Sequence, residues 1–161
     1  MITSLILFLA FVIYIVWWHG KMPWSLSKMH YVFGDWRFVI GTLAYGVPLI
    51  FAEPLLIRLA GVGIVLVAAA PAGREKGLEG ILHVAGVWIA ILSAGVHLIL
   101  KGYEAGWPGA AVLWGIVLVS IAFAWYALKT KMPSRTAWIE IQLFIFFMAG
   151  ALLYPGELTM L

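Results

Sequence analysis

The chain contains no cysteine. That absence excludes disulfides, thiolate metal sites, iron–sulfur clusters and a cysteine nucleophile. Charge is scarce too: 11% of the 161 residues are Asp, Glu, Lys or Arg, against about 25% in ordinary soluble domains. No polar stretch is long enough to form a second, extramembrane domain. What the chain does have is apolar surface, with 65% hydrophobic residues and a mean hydropathy of +1.06. These values exclude a disordered tail, an ordinary soluble enzyme and a secreted disulfide scaffold. They point to an integral membrane protein. The net charge of +3 would suggest nucleic acid in a soluble protein. Here the basic residues sit in loops or at the ends of apolar runs, so membrane topology accounts for them and no nucleic-acid partner is expected.

Six apolar runs are separated by short polar segments, which predicts an all-α, polytopic transmembrane bundle forming a single domain over 1–161. The spans read as about 2–18, 36–52, 55–70, 80–100, 110–128 and 136–154. The first ends in the interfacial pair Trp17-Trp18 and lacks the basic start and cleavage site of a signal peptide. Residues 19–35 are too polar to span and too aromatic for a free loop, so they read as an interfacial segment. Gly41, Gly46 and Pro48 predict a bend in the second span, and Glu53-Pro54 a tight turn after it. Arg58 is expected to snorkel to the headgroups. Lys101 to Gly109, with Trp107-Pro108, reads as a loop.

Orientation follows from the basic residues. Lys21, Lys28, Arg37, Arg74, Lys76, Lys129, Lys131 and Arg135 fall on one side, and only Arg58 and Lys101 on the other. The positive-inside rule then places loops one, three and five in the cytoplasm and both termini on the non-cytoplasmic side. This parity hinges on Glu53-Pro54 being a true turn.

Ionisable groups near membrane depth are functional candidates by default. Three regions supply them at similar depth: Ser25, Ser27, His30, Tyr31, Asp35 and Arg37 in loop one, Glu79 and His83 opening span four, and Glu140 and Gln142 in span six. Either they converge on one site or each is solvated at the headgroups. Glu79 and His83 are four apart and share a helix face. The acid either orients the imidazole or satisfies free amides at the helix start. Glu140, about one turn into span six beside Trp138, Ile139 and Ile141, is the best single candidate, with Arg37, Arg135 or His83 as expected partners. Gln142, two residues on, faces elsewhere. The aromatics Phe144, Phe146 and Phe147 read as lipid-facing or packing surface.

His83 and His97 are fourteen apart, which puts them on one helical stripe with a rise of about 21 Å. Gly86, Ala90 and Ala94 fall on the same stripe, where small residues admit a flat group or another helix. The spacing resembles cytochrome b helices, in which paired histidines ligate stacked haems. That likeness implies haem b on His83 and His97, but it requires facing histidines that no other span supplies.

The segment SLSKMHYVFGDWRFVIGTL, Ser25 to Leu43, resembles the opening of a group of small uncharacterised six-helix bacterial membrane proteins. Pro71, His83 and the Trp138/Glu140 pair match further features of that group. The resemblance implies a shared six-helix fold in a bacterial cytoplasmic membrane and no known activity. A second likeness is to the alkaline ceramidase and adiponectin receptor superfamily of intramembrane zinc amidases. Ser25 or Ser27, Asp35, His30 and His83 supply similar residue types, while the superfamily's His-x-x-x-His in the last helix and its seventh span are missing.

The reading that follows is a non-catalytic membrane protein, an accessory subunit or a bundle binding lipid or a small ligand, with no cofactor. Membrane lipid, other subunits or further copies of the chain are its expected partners. One alternative is a metal-dependent lipid hydrolase with zinc on His30, His83 and Glu79, and with Glu140, Ser25 and Asp35 as catalytic residues. The other is a b-haem electron-transfer subunit using His83 and His97. A transporter is not expected, because no two spans carry matched internal breaks.

Overall fold

Each apolar run folds as one α-helix, and the breaks fall at glycine, proline or charge. The computed structural model describes residues 2–23, 25–26, 35–70, 77–104, 106–130 and 134–153, and of residues 35, 151 and 153 the backbone only. Six helices follow in order among the described residues: α1 (Ile2–His19), α2 (Asp35–Ile50), α3 (Leu55–Ala69), α4 (Leu78–Glu104), α5 (Gly106–Lys129) and α6 (Arg135–Leu153). There is no strand among the described residues. Helices α1, α4 and α5 are long and apolar enough to cross a membrane. Ser27, His30 and Tyr31 lie outside the described residues, as do the loop cations Lys28, Arg74, Lys76 and Lys131.

Local chemistry sets the helix ends. Gly20 follows α1 at φ +71, a left-handed turn that glycine adopts without a Cβ penalty. Pro48 stands inside α2, which ends two residues later at Ile50. The chain bends through Glu53-Pro54 as expected, just after a turn in which Ala52 N–H donates to the Leu49 carbonyl at 3.1 Å. Arg58 turns back onto this turn, pairing with Glu53 and donating from Nε to the Ala52 carbonyl at 3.0 Å.

The loop expected over Lys101–Gly109 is largely helical. Helix α4 continues to Glu104 and α5 begins at Gly106. The reason is that Lys101 does not enter water. It is buried, and its Nζ lies 2.6 Å from Glu104 Oε2, one turn on, so the charge is met within the helix. Trp107-Pro108 falls in the first turn of α5, where a missing N–H has no cost.

Successive helices run antiparallel, as their facing residues require. Phe11 fills the space beside Gly41, and Phe8 meets Tyr45 edge-on at 5.1 Å. Gly46 faces Ile64, while Gly61 faces Leu49 and Ile50. The α3–α4 seam brings backbone onto backbone: a Cβ on Gly63 would stand 2.5 Å from the Gly86 carbonyl oxygen and 2.6 Å from Ala90 N. Helix α6 packs on α4, α5 and, most lightly, α1. Helices α1, α2, α3, α4 and α6 therefore form a ring, and α5 stands outside it against α4 and α6. Gln142 Nε2 of α6 donates to Ser120 Oγ of α5 at 2.6 Å. Phe8, Phe11, Ile15, Leu26, Phe38, Ala137 and Ile141 pack together where α1 ends and α2 and α6 begin.

Candidate functional site

The segment after α1 was expected at the interface, yet its described part enters the end of the bundle. The Met22 carbonyl accepts from Ser134 Oγ at 2.8 Å, which ties the segment to the start of α6. Ser25 and Leu26 are buried, and Leu26 joins the core of the ring. Burying an irregular backbone leaves its N–H groups in need of acceptors. Glu140 provides one. Its Oε2 accepts the Leu26 N–H at 2.6 Å, and its Oε1 accepts the Ser25 hydroxyl at 2.9 Å, across more than a hundred residues of sequence. Hydrogen bonds to a carboxylate are the stronger kind.

Helix α6 aims Glu140 inward by simple periodicity. Glu140, Leu143, Phe144, Phe147 and Met148 fall at i, i+3, i+4, i+7 and i+8, one face of a helix. That face forms one wall of a partly open cavity of about 170 Å³. Phe38, Tyr45 and Leu49 from α2, Ile64 and Val67 from α3, and Val87, Ala90 and Ala94 from α4 supply further walls. Phe144 stacks on Phe8 at 4.0 Å between ring centroids and meets Tyr45 edge-on at 5.1 Å. Glu140 is the one charged residue among the described lining residues. The volume compares with engineered apolar cavities of ~150 Å³ that stay dry and take a benzene-sized ligand.

Among the described residues, two of the three polar regions are seen to meet. Loop one reaches span six through Ser25, Leu26 and Glu140. The expected partners of Glu140 were Arg37, Arg135 or His83; among the described residues its carboxylate accepts from a hydroxyl and a backbone amide. Arg37 instead lies over two indoles, with Cζ 4.6 Å from the Trp18 ring centroid and 5.1 Å from that of Trp36. His83, on span four, is buried with Nδ1 2.9 Å from the Ala70 carbonyl, so it ties the end of α3 to the start of α4. Glu79 lies in the first turn of α4, where a negative charge suits the helix dipole. Gln142 faces α5, away from Glu140, as its spacing predicts.

His97 is buried on α4 towards the other end of the bundle. The small-residue stripe between the two histidines takes a helix: Gly63 and Val67 of α3 lie against Gly86 and Ala90. For the metal set, His30 lies outside the described residues, and no group of three His, Cys, Asp or Glu side chains suited to a metal occurs among the described residues. Asp35 opens α2, and its side chain lies outside the description.

The residues that sequence reasoning missed are the cavity walls. Phe144 and Phe147, read as lipid-facing or packing surface, line the cavity, and Tyr45, Ala90 and Ala94 were not singled out for it. The i, i+3, i+4, i+7, i+8 pattern starting at Glu140 was the available signal. No family model, curated protein or solved structure matches the chain.

Proposed function

We infer that this chain is a non-catalytic integral membrane protein that holds an apolar lipid chain in the cavity headed by Glu140. The observation that carries the reading is a partly open, almost wholly apolar cavity with a single hydrogen-bonded carboxylate among its lining residues. Such a cavity suits a segment of acyl chain, with the ligand's polar group towards the Glu140 end. From Glu140 to Met148 the wall of α6 extends about 12 Å.

The membrane setting follows the same logic. Large apolar side chains such as Ile13, Phe51, Trp88, Leu118 and Trp125 are exposed on every side of the bundle, a surface that water does not tolerate. We read six crossings, with both termini on the non-cytoplasmic side of a bacterial cytoplasmic membrane. The strict alternation of helix direction and the eight-to-two division of basic residues support this reading. Helices α2 and α3, at 16 and 15 residues, would span only about 22–24 Å and thin the bilayer locally.

The test is lipid analysis after purification and thorough exchange into mild detergent. The wild type is expected to retain tightly held lipid, and Ala94→Phe, which fills the cavity, to lose most of it. Equal retention by both proteins would defeat the reading. A second reading, a metal-dependent lipid hydrolase, draws support from the 2.9 Å bond between two of its candidate catalytic residues, Ser25 and Glu140. Stoichiometric zinc in the same preparation, lost in His83→Ala, would put that reading first.

A further inference from the structure

A second groove lies on the outer face of the bundle, between α1 and α2, separate from the interior cavity. It has a volume of about 280 Å³ and is more open than the first. Arg37, Trp36 and Tyr14 line it at the end where α1 finishes and α2 begins. Ile40, Ala44 and Leu7 continue it along the helices. Phe11 forms part of its floor, seated over Gly41, where a Cβ would come within 2.2 Å of the ring.

Charge and shape together identify the occupant. The two ion pairs described are Arg58–Glu53 and Lys101–Glu104, and neither includes Arg37. Its guanidinium is instead braced by the indoles of Trp18 and Trp36, which leaves its charge without a carboxylate partner among the described residues. A planar cation held on aromatic faces keeps its N–H fork directed along its own plane, the geometry that matches a phosphate. Trp36, Ile40 and the other exposed apolar side chains of α1 and α2 suit a hydrocarbon chain below that phosphate. We propose that the α1–α2 groove binds one anionic glycerophospholipid, its phosphate on Arg37 and one acyl chain along Ile40 and Ala44. This rests on the membrane setting inferred above and not on the interior cavity being filled.

The test uses the full chain, delipidated in mild detergent and titrated with phosphatidylglycerol or phosphatidylcholine of identical chains, with binding read by native mass spectrometry and by the thermal shift. Wild type is expected to bind phosphatidylglycerol about fivefold more tightly than phosphatidylcholine, the factor one basic residue provides near an anionic surface. In Arg37→Gln the two lipids become equivalent. Arg37→Lys keeps part of the preference, since charge survives without the planar fork. Ala44→Trp, which leaves Arg37 intact, weakens both lipids by obstructing the groove. Ala94→Phe, in the interior cavity, leaves the preference unchanged, so failure of the cavity reading and failure of this one are told apart. A full preference in folded Arg37→Gln, or no effect of Ala44→Trp, overturns the proposal. So does an equal thermal shift from inorganic phosphate alone. Should Arg37→Gln not fold, the Arg37→Lys and Ala44→Trp titrations decide.

Discussion

Between α3 and α4, Gly63 and Gly86 bring two backbones close enough that neither admits a Cβ. Where α6 faces α1 and α2, by contrast, Phe8, Tyr45 and Phe144 hold the helices apart and leave a cavity. The two regions use different means of association. In lipid, apolar surface gains little by meeting apolar surface, so helices are held by close packing or by polar links. The α3–α4 seam relies on packing, with His83 on the Ala70 carbonyl as a polar clasp. The α6 side relies on polar links at one end, where Glu140 gathers Ser25 and Leu26 and Ser134 grips the Met22 carbonyl. A region fastened at its end that encloses a cavity along its length is the one suited to admit a ligand.

Breaking the seam should have the largest effect. Gly86→Leu places side-chain atoms where the backbone of Gly63 and Val67 already stands. Overpacking of a yielding site costs about 1–3 kcal/mol, and backbone yields less than side chain. The expected outcome is no folded monomer by size-exclusion chromatography, and a normally folded Gly86→Leu would dissolve the contrast. Next comes the polar fastening. Glu140→Ala leaves the Ser25 hydroxyl and the Leu26 N–H without their acceptor, at about 1–3 kcal/mol for a buried unsatisfied group. Thermal unfolding in detergent should register it as a clear drop, with Glu140→Gln milder because one acceptor oxygen remains. Ser25→Ala removes the hydroxyl bond to Glu140, so about 0.5–1.5 kcal/mol is expected from the same measurement. The smallest effect belongs outside both regions. Nothing lies within 4 Å of a Cβ built on Gly95, so Gly95→Ala should leave unfolding unchanged or raise stability by up to about 1 kcal/mol.

Much of this arrangement could be read from the residues. Runs of apolar sequence set off by Trp17-Trp18, Glu53-Pro54 and the basic residues Lys129 to Arg135 marked the helices, and the ends of α1, α2, α3 and α6 lie within a residue or two of their expected places. Glu140 stood out because a carboxylate one turn inside an apolar run has to be satisfied by something. Its partners were not legible. Ser25 and Leu26 precede it by more than a hundred residues, and only the fold of the segment after α1 brings them there. Lys101 misled because its charge suggested a loop, whereas Glu104 one turn on satisfies it within α4. The cavity was hidden for a different reason. When a helix is apolar all round, hydrophobic periodicity does not say which face looks inward. Phe144 therefore read equally well as lipid-facing surface or as packing.

The most direct test of the central claim is to map where a lipid chain lies. Protein purified in mild detergent is loaded with a phospholipid bearing a photoreactive diazirine at the end of one acyl chain, irradiated, digested and sequenced by mass spectrometry. The account predicts labelling on the inward faces of α4 and α6, at Val87, Ala90, Leu143 and Phe147, and loss of that labelling in Ala94→Phe. Labelling confined to outward residues such as Ile13, Trp88 and Leu118, unchanged in Ala94→Phe, would contradict it.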